Sequence, residues 1–305
     1  MSSAEFTGAH RRAQGRPRLA VGVVSAGRVG TALGAALELS GHRVVAASAI
    51  SEQSLRRAEQ RLPSAEVTTP DEVAARADLL VLAVPDVELP GLVRGLAATG
   101  SVRPGQIVVH TAGARGVDVL APLAALGALP LALHPAMTFT GRDEDTARLA
   151  SCCFGVTAAD DAGWTVAEAL VLEVGAEPVR IAETDRPLYH AALAHGANHL
   201  VTLVRDAVSV LESITAGNTT PAERVLAPLL SAALDNALRH GDRALTGPVA
   251  RGDAEAVATH LAVLTDADAG VGAAYRALSR RTAQRAREDG LISATAARAI
   301  LEELA

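Results

Sequence analysis

A chain of 305 residues has room for two domains of ordinary size, each with its own core. Nearly half the residues are apolar, a fifth are charged and the formal net charge is -6, which excludes a disordered chain and argues against a nucleic-acid partner. All 28 basic residues are arginine, so a lysine Schiff base, lysine-held pyridoxal phosphate, a lysine general acid and a Walker-type phosphate loop are excluded as well.

Residues 1–16 are polar, carry His10, Arg11, Arg12 and Arg16, and lead into no signal-like apolar core; a flexible tail is expected. From 18 to 181, short apolar runs alternate with alanine-rich amphipathic segments, the rhythm of parallel strands joined by crossover helices. The candidate strands are LAVGVV (19–24), RVVAAS (43–48), LLVLAV (79–84), IVVH (107–110) and LPLALH (129–134), with CCFGVT and EPVRI as weaker candidates. Most are continuous hydrophobic runs, as expected of strands covered on both faces. The apolar stretch 119–133 is broken by Pro122, Gly127 and Pro130 and is too short for the roughly 20 residues of a membrane span. Cys152 and Cys153 are adjacent, which suits neither a structural disulfide nor a metal clip; they read as small buried side chains in a reduced, cytoplasmic protein.

Beyond 181 the strand signals stop, and helices follow, with turns near 215–221 and 241–252. The first helix, about 186–213, carries Leu193, Ala197, Leu200, Val204, Val208 and Leu211 at the spacing of a buried stripe. His195, Asn198, His199, Thr202 and Asp206 lie on its other side. The expected fold is α/β: a doubly wound, mainly parallel sheet followed by an all-helical C-terminal domain. The expected divisions are a tail at 1–16, a nucleotide-binding domain at 17–183 and a helical substrate and dimerisation domain at 184–305.

The segment VGVVSAGRVGTALG places a glycine-bearing turn between a strand and a helix, where free helical N–H groups meet a pyrophosphate. The Rossmann pattern G-x-G-x-x-G reads here as Ser25, Ala26, Gly27, Arg28, Val29 and Gly30, with serine at the first glycine. No acid stands at the end of the second strand to hold both ribose hydroxyls. Ser48, Ser51, Ser54, Arg56 and Arg57 stand there instead, and hydroxyls with guanidinium groups favour the 2'-phosphate of NADP(H). Val84, Pro85 and Thr111, at the carboxyl ends of the next strands, are expected beside the nicotinamide.

His134 opens HPAMTFTG at the same edge and is the first candidate for a proton donor or substrate hook. His195 and His199 stand one helical turn apart with Asn198 beside them, suited to polarise a carbonyl or imine. Their H-x-x-x-H spacing lacks the glutamate of a zinc-protease motif, Gly196 standing in its place, and no third ligand is evident, so no metal is expected. In LTGPVARGD, Asp253 reads as a helix cap, while Thr246 and Arg251 are candidates for an anionic substrate.

With GRVG, HPAMTFTG, LYHAALAHGANHLVTL and LTGPVARGD together, the chain resembles bacterial Rossmann-like oxidoreductases whose helical C-terminal half is a domain of unknown function. These are relatives of ketopantoate reductase, beta-hydroxyacid dehydrogenase and pyrroline-5-carboxylate reductase. The resemblance covers 18 to about 287. It implies NADP(H) binding, an active site between the domains, a homodimer formed through the helical half, and a ketopantoate-reductase-like role. The catalytic lysine of those dehydrogenases, four residues before an asparagine on the long helix, is here Ala194. Asn198 retains substrate positioning in this reading, and proton donation falls to His134, His195, His199 or water. The expectations are therefore reduction of a small keto acid, an imine reductase as competitor, and an NADP(H)-binding regulator without turnover as the third reading.

Overall fold

The computed structural model describes residues 18–215, 217 and 219–305; the expected tail at 1–16 lies outside the described residues. The chain divides into two compact units between His195 and Gly196.

The first unit begins with β1 (Ala20–Val24), α1 (Arg28–Leu39), β2 (Arg43–Ser48), α2 (Glu52–Arg61), β3 (Glu66–Val67) and α3 (Pro70–Arg76). Next come β4 (Leu79–Leu82), α4 (Leu89–Thr99), β5 (Ile107–His110), a 3-10 turn (Val117–Leu120), α5 (Ala121–Ala124) and β6 (Leu129–Pro135). It closes with α6 (Glu144–Leu149), β7 (Cys153–Ala158), α7 (Asp161–Glu173), β8 (Glu177–Arg180), a 3-10 turn (Glu183–Asp185) and the start of α8 (Arg186–Thr215).

The strands form one sheet in the order β3-β2-β1-β4-β5-β6-β7-β8. All neighbours are parallel except β6 and β7. Alternate residues of each strand feed opposite faces: Val21, Val23, Leu79 and Val81 join one apolar layer, Val24, Leu80 and Leu82 the other. This two-sided burial explains the unbroken hydrophobic runs. Where the order turns from β2 and β3 to β4, the crossover helices leave on opposite faces and a crevice opens at the carboxyl ends of the strands. A Cβ on Gly22 would lie 2.8 Å from Val73 Cγ1, so α3 packs directly on the β1 backbone.

The strand at 66–67 was not foreseen, being too short for a pattern, and LLVLAV stops being strand at Leu82. The adjacent cysteines are not both buried: Cys152 is half-buried, its thiol pushed up to about 11 by burial, and Cys153 is exposed. Trp164 on α7 lies beneath Arg180 of β8, whose guanidinium carbon is 4.0 Å from the indole centroid.

The second unit holds the rest of α8, α9 (Ala222–His240), a 3-10 turn (Gly241–Ala244), α10 (Gly247–Arg251), α11 (Ala254–Ala267), α12 (Ala269–Glu288) and α13 (Ala294–Glu303). The last four helices share a core of Val249, Val257, Leu261, Ala283, Ile300 and Leu304. Asp253, Asp268 and Ser293 cap α11, α12 and α13, each cap stabilising its helix by about 1 kcal/mol. The stripe expected to be buried on the long helix is not: only Val208 is buried, while Ala197 and Leu200 are exposed. On α9 only Ala222 is buried, and Leu229, Leu234 and Leu238 are exposed. Among the described residues no helix is long and apolar enough to cross a membrane.

Candidate active site

The β1–α1 turn is made by backbone. Ser25 has φ +75, the one left-handed non-glycine conformation among the described residues, and stands where the usual pattern has glycine. Ser48 holds the turn from β2: its hydroxyl accepts from the Ser25 N–H at 3.0 Å and its carbonyl from the Ala26 N–H at 2.8 Å. A Cβ on Gly30 would drive into the Ser25 carbonyl, whereas one on Gly27 would meet only Ser25 Oγ at 3.6 Å. Gly30 is thus demanded by packing, and Gly27 leaves open space for something outside the chain.

That space belongs to a groove of about 650 Å3 lined by Ser25, Gly27, Ser48, Ile50, Ser51, Ser54, Arg57, Pro70, Val84, Pro85, Glu88 and Leu92 among others. At its β2 end Ser51 caps α2, its hydroxyl accepting from the Ser54 N–H at 3.1 Å. Arg57 reaches the same groove and forms no ion pair among the described residues. A Cβ on Gly141 would lie 3.3 Å from both Arg57 Nε and Arg28 Cγ, so the loop after β6 lies against both arginines. Asp145 secures that loop, accepting from the Gly141 N–H at 2.6 Å and the Thr140 hydroxyl at 3.0 Å.

A second polar cluster forms at the ends of β5, β6 and β7. His134 Nδ1 is 3.0 Å from the Tyr189 hydroxyl, and the His190 ring stands edge-on to it at 5.9 Å. Burial pushes His134 down to about 4, the charges of His190, Arg186 and His110 adding to the effect, so the ring is neutral at pH 7. His110 is held down to about 4, again chiefly by burial. Its Nε2 donates to the Gly116 carbonyl at 2.7 Å while Nδ1 accepts from the Ala112 N–H at 3.1 Å, which fixes the tautomer. Arg186 is fully buried. Its Nε donates to the Thr157 hydroxyl at 2.7 Å and its Nη2 to the carbonyls of Ala132 and Gly155, each at 3.0 Å.

Residues 7–135 match the Rossmann-like domain, and residues 152–282 match a domain of unknown function, DUF2520. The chain joins a Rossmann-like domain to a DUF2520 domain. No curated protein matches the sequence. Among solved structures, a candidate NADP oxidoreductase of Bacteroides fragilis is similar at TM-score 0.73 and 24% identity, over 87% of this chain and 98% of that one. An imine reductase of Myxococcus stipitatus in complex with NADP+ is similar at 0.60 and 18%, over 88% and 94%. Pyrroline carboxylate reductase of Plasmodium falciparum, with NADP bound, is similar at 0.56 and 11%, over 89% and 100%. At these identities the likeness is one of fold.

Within the Rossmann-like domain the structure brings Ser25, Gly27, Ser48, Ser51, Val84 and Pro85 into one groove. Ala26 and Gly30 are buried behind it, and Arg28 and Val29 open α1. Arg56 is turned to the outer face of α2 and paired with Glu52, so its neighbour Arg57 is the guanidinium at the groove. Thr111 is half-buried just after β5 and does not line the groove. His195, Asn198 and His199 are exposed on α8, and Arg251 and Thr246 are exposed at either end of α10. Sequence reasoning missed Tyr189, His190, Arg186 and His110. Gly113 and Gly155 were a signal available in hindsight: a Cβ on Gly113 would strike the His190 ring, and one on Gly155 would lie 2.5 Å from the Tyr189 hydroxyl.

Proposed function

We propose that this chain is an NADP(H)-dependent oxidoreductase that reduces the C=O group of a small keto acid, in the manner of ketopantoate reductase. The observation that carries the cofactor half is the groove at Gly27, where the protein leaves open the space a side chain would fill. The α1 N-terminus there would hold the pyrophosphate. Ser51, Ser54 and Arg57 would hold the 2'-phosphate, since a guanidinium with hydroxyls matches that dianion and no acid at the end of β2 repels it. Val84 and Pro85 would flank the nicotinamide. When bound, the reduced cofactor supplies a hydride.

The chain's own residues then have two tasks: to orient the C=O group and to hold the proton that its oxygen must gain. Asn198 is proposed to orient the substrate with His195 or His199, Thr246 and Arg251 to receive its carboxylate, and His134 to hold the proton. The His134–Tyr189 hydrogen bond supports a carbonyl substrate, because an alkoxide needs a proton whereas an iminium arrives with one. Reduction of a cyclic imine is the second reading, favoured by the fold likeness to proteins named for that reaction.

The exposed leucines of α9 support a homodimer through the helical domain, being the kind of apolar surface a second copy covers. A cytoplasmic setting rests on two adjacent cysteines unsuited to a disulfide. The test is a fluorescence titration with NADPH and NADH, followed by a panel of keto acids and cyclic imines while nicotinamide absorbance is recorded. NADPH binding with turnover of a keto acid is expected, with Asn198→Ala lowering turnover and leaving NADPH affinity intact. Binding without any turnover would mean a sensor, and absence of binding would refute the proposal.

A further inference from the structure

A buried neutral imidazole is a poor acid by itself. Loss of its N–H proton leaves an imidazolate unless another proton reaches the second ring nitrogen. His134 is in that position, and among the described residues the Tyr189 hydroxyl is the side chain hydrogen-bonded to it, 3.0 Å from Nδ1. Its other nitrogen, Nε2, faces the loop after β5, 2.9 Å from where a Cβ on Gly113 would stand. Gly155 is the cross-strand partner of His134, and only a residue without Cβ leaves room there for the Tyr189 hydroxyl.

Arg186, one turn before Tyr189, is buried with no carboxylate within ion-pair distance among the described residues, and its Nη1 has no hydrogen-bond partner. A buried cation without an anion is costly. Its guanidinium carbon lies 5.7 Å from the Tyr189 ring centroid, close enough for an anion formed on that ring to offset the cost.

We propose that Tyr189 is the proton reservoir of the reductive step, acting through His134, and that Arg186 is the positioning residue whose charge makes the transient phenolate accessible. This rests on the reductase reading above. The carbonyl carbon gains the hydride, and its π electron pair moves onto oxygen. That oxygen takes the proton from His134 Nε2 as the Tyr189 O–H bond breaks and its proton passes to Nδ1. The imidazole stays neutral throughout, and once the alcohol has left the Nδ1 proton returns to the phenolate as Nε2 takes a proton from water. Burial pushes the Tyr189 hydroxyl above its ordinary pKa, while Arg186 and the Gly155 amide act the other way. The remaining titratable neighbours are His190 on α8, His110 on β5, the thiols of Cys152 and Cys153, and Glu183 in the 3-10 turn before α8, whose carboxylate acts on Arg186 from beyond ion-pair distance.

The chain has two tyrosines, so in a Tyr275→Phe background the phenolate absorbance belongs to Tyr189 alone. Its ionisation midpoint is expected to rise by at least one pH unit in Arg186→Met and to stay near its original value in Arg186→Lys. In full-length enzyme, Tyr189→Phe is expected to lower kcat about 100-fold, leave NADPH affinity and KM within twofold, and remove the alkaline limb of the kcat profile. An unchanged midpoint in Arg186→Met, or full kcat in Tyr189→Phe, would overturn the proposal. Should Arg186→Met not fold, Tyr189→Phe, which loses one oxygen, decides it. A wild-type enzyme that turns over no substrate would refute the reductase reading and the catalytic role with it, while the absorbance titration would still report on the Arg186–Tyr189 coupling.

Discussion

The β1–α1 turn and the cluster around His134 stand on the same edge of one sheet and are built by opposite means. The turn is mainly backbone work within six consecutive residues, braced from β2 by Ser48: a left-handed serine, a glycine facing open space and a glycine pressed against a carbonyl. The cluster is side-chain work, assembled from β5, β6, β7 and α8, with His134 and Tyr189 55 positions apart. A site of the first kind is governed by steric limits on single residues. One of the second kind depends on buried polar groups satisfying or charging one another, and it should respond to pH where the turn does not.

Four measurements press on that contrast, beginning with the largest effect. Gly30→Ala places a methyl against the Ser25 carbonyl backbone, and a loss of about 3 kcal/mol or more is expected, seen as a fall in Tm of roughly 10 °C with NADPH binding abolished. A Tm within a degree or two of wild type would show the turn to be more pliable than its geometry. Next comes acid. His110 and His134 are held near 4 in the folded state against about 6.5 unfolded, so the unfolded chain binds more protons between those values. Stability is therefore complete above about 6.5 and declines as pH falls toward 4, by up to roughly 3 kcal/mol for each imidazole. Thermal unfolding across that range checks it, and His110→Asn should flatten the slope. Arg57→Ala comes third: NADPH affinity should drop tenfold or more while NADH affinity holds, because one charged hydrogen bond contributes about 1.5–3 kcal/mol. Equal losses for both cofactors would place the 2'-phosphate elsewhere. Smallest is Ser25→Gly, which relieves the left-handed conformation at φ +75 but adds freedom to the unfolded chain. A gain of no more than about 1 kcal/mol in denaturant unfolding is expected; a loss would mean that the Ser25 hydroxyl matters more than its backbone.

The same contrast explains what the sequence disclosed. A serine and two glycines between a strand and a helix are a local pattern, and that context alone identifies the turn. The long strands were legible because two-faced burial leaves an uninterrupted hydrophobic run, whereas Glu66–Val67 is too brief to carry any period. At Arg56 and Arg57 the residue type was readable but not the direction, which a rotation of 100° per helical residue settles in favour of Arg57. The Tyr189 cluster left no more trace in the sequence than the glycines at 113 and 155, since its meaning comes from a hydrogen bond across the sheet edge. The apolar stripe on α8 misled for a related reason: periodicity shows that a face is apolar, not which surface covers it.

Trp164 is the one tryptophan of the chain, and it lies under Arg180 at the β8 edge of the sheet. Indole emission thereby reports on the first unit, to which both Trp164 and Arg180 belong. Far-ultraviolet circular dichroism weighs the helices from Gly196 onward heavily, so two melting curves recorded on one sample tell whether the units unfold together. Coincident curves would mean one cooperative transition, and an emission curve displaced from the dichroism curve would resolve the two units with no mutation and no label.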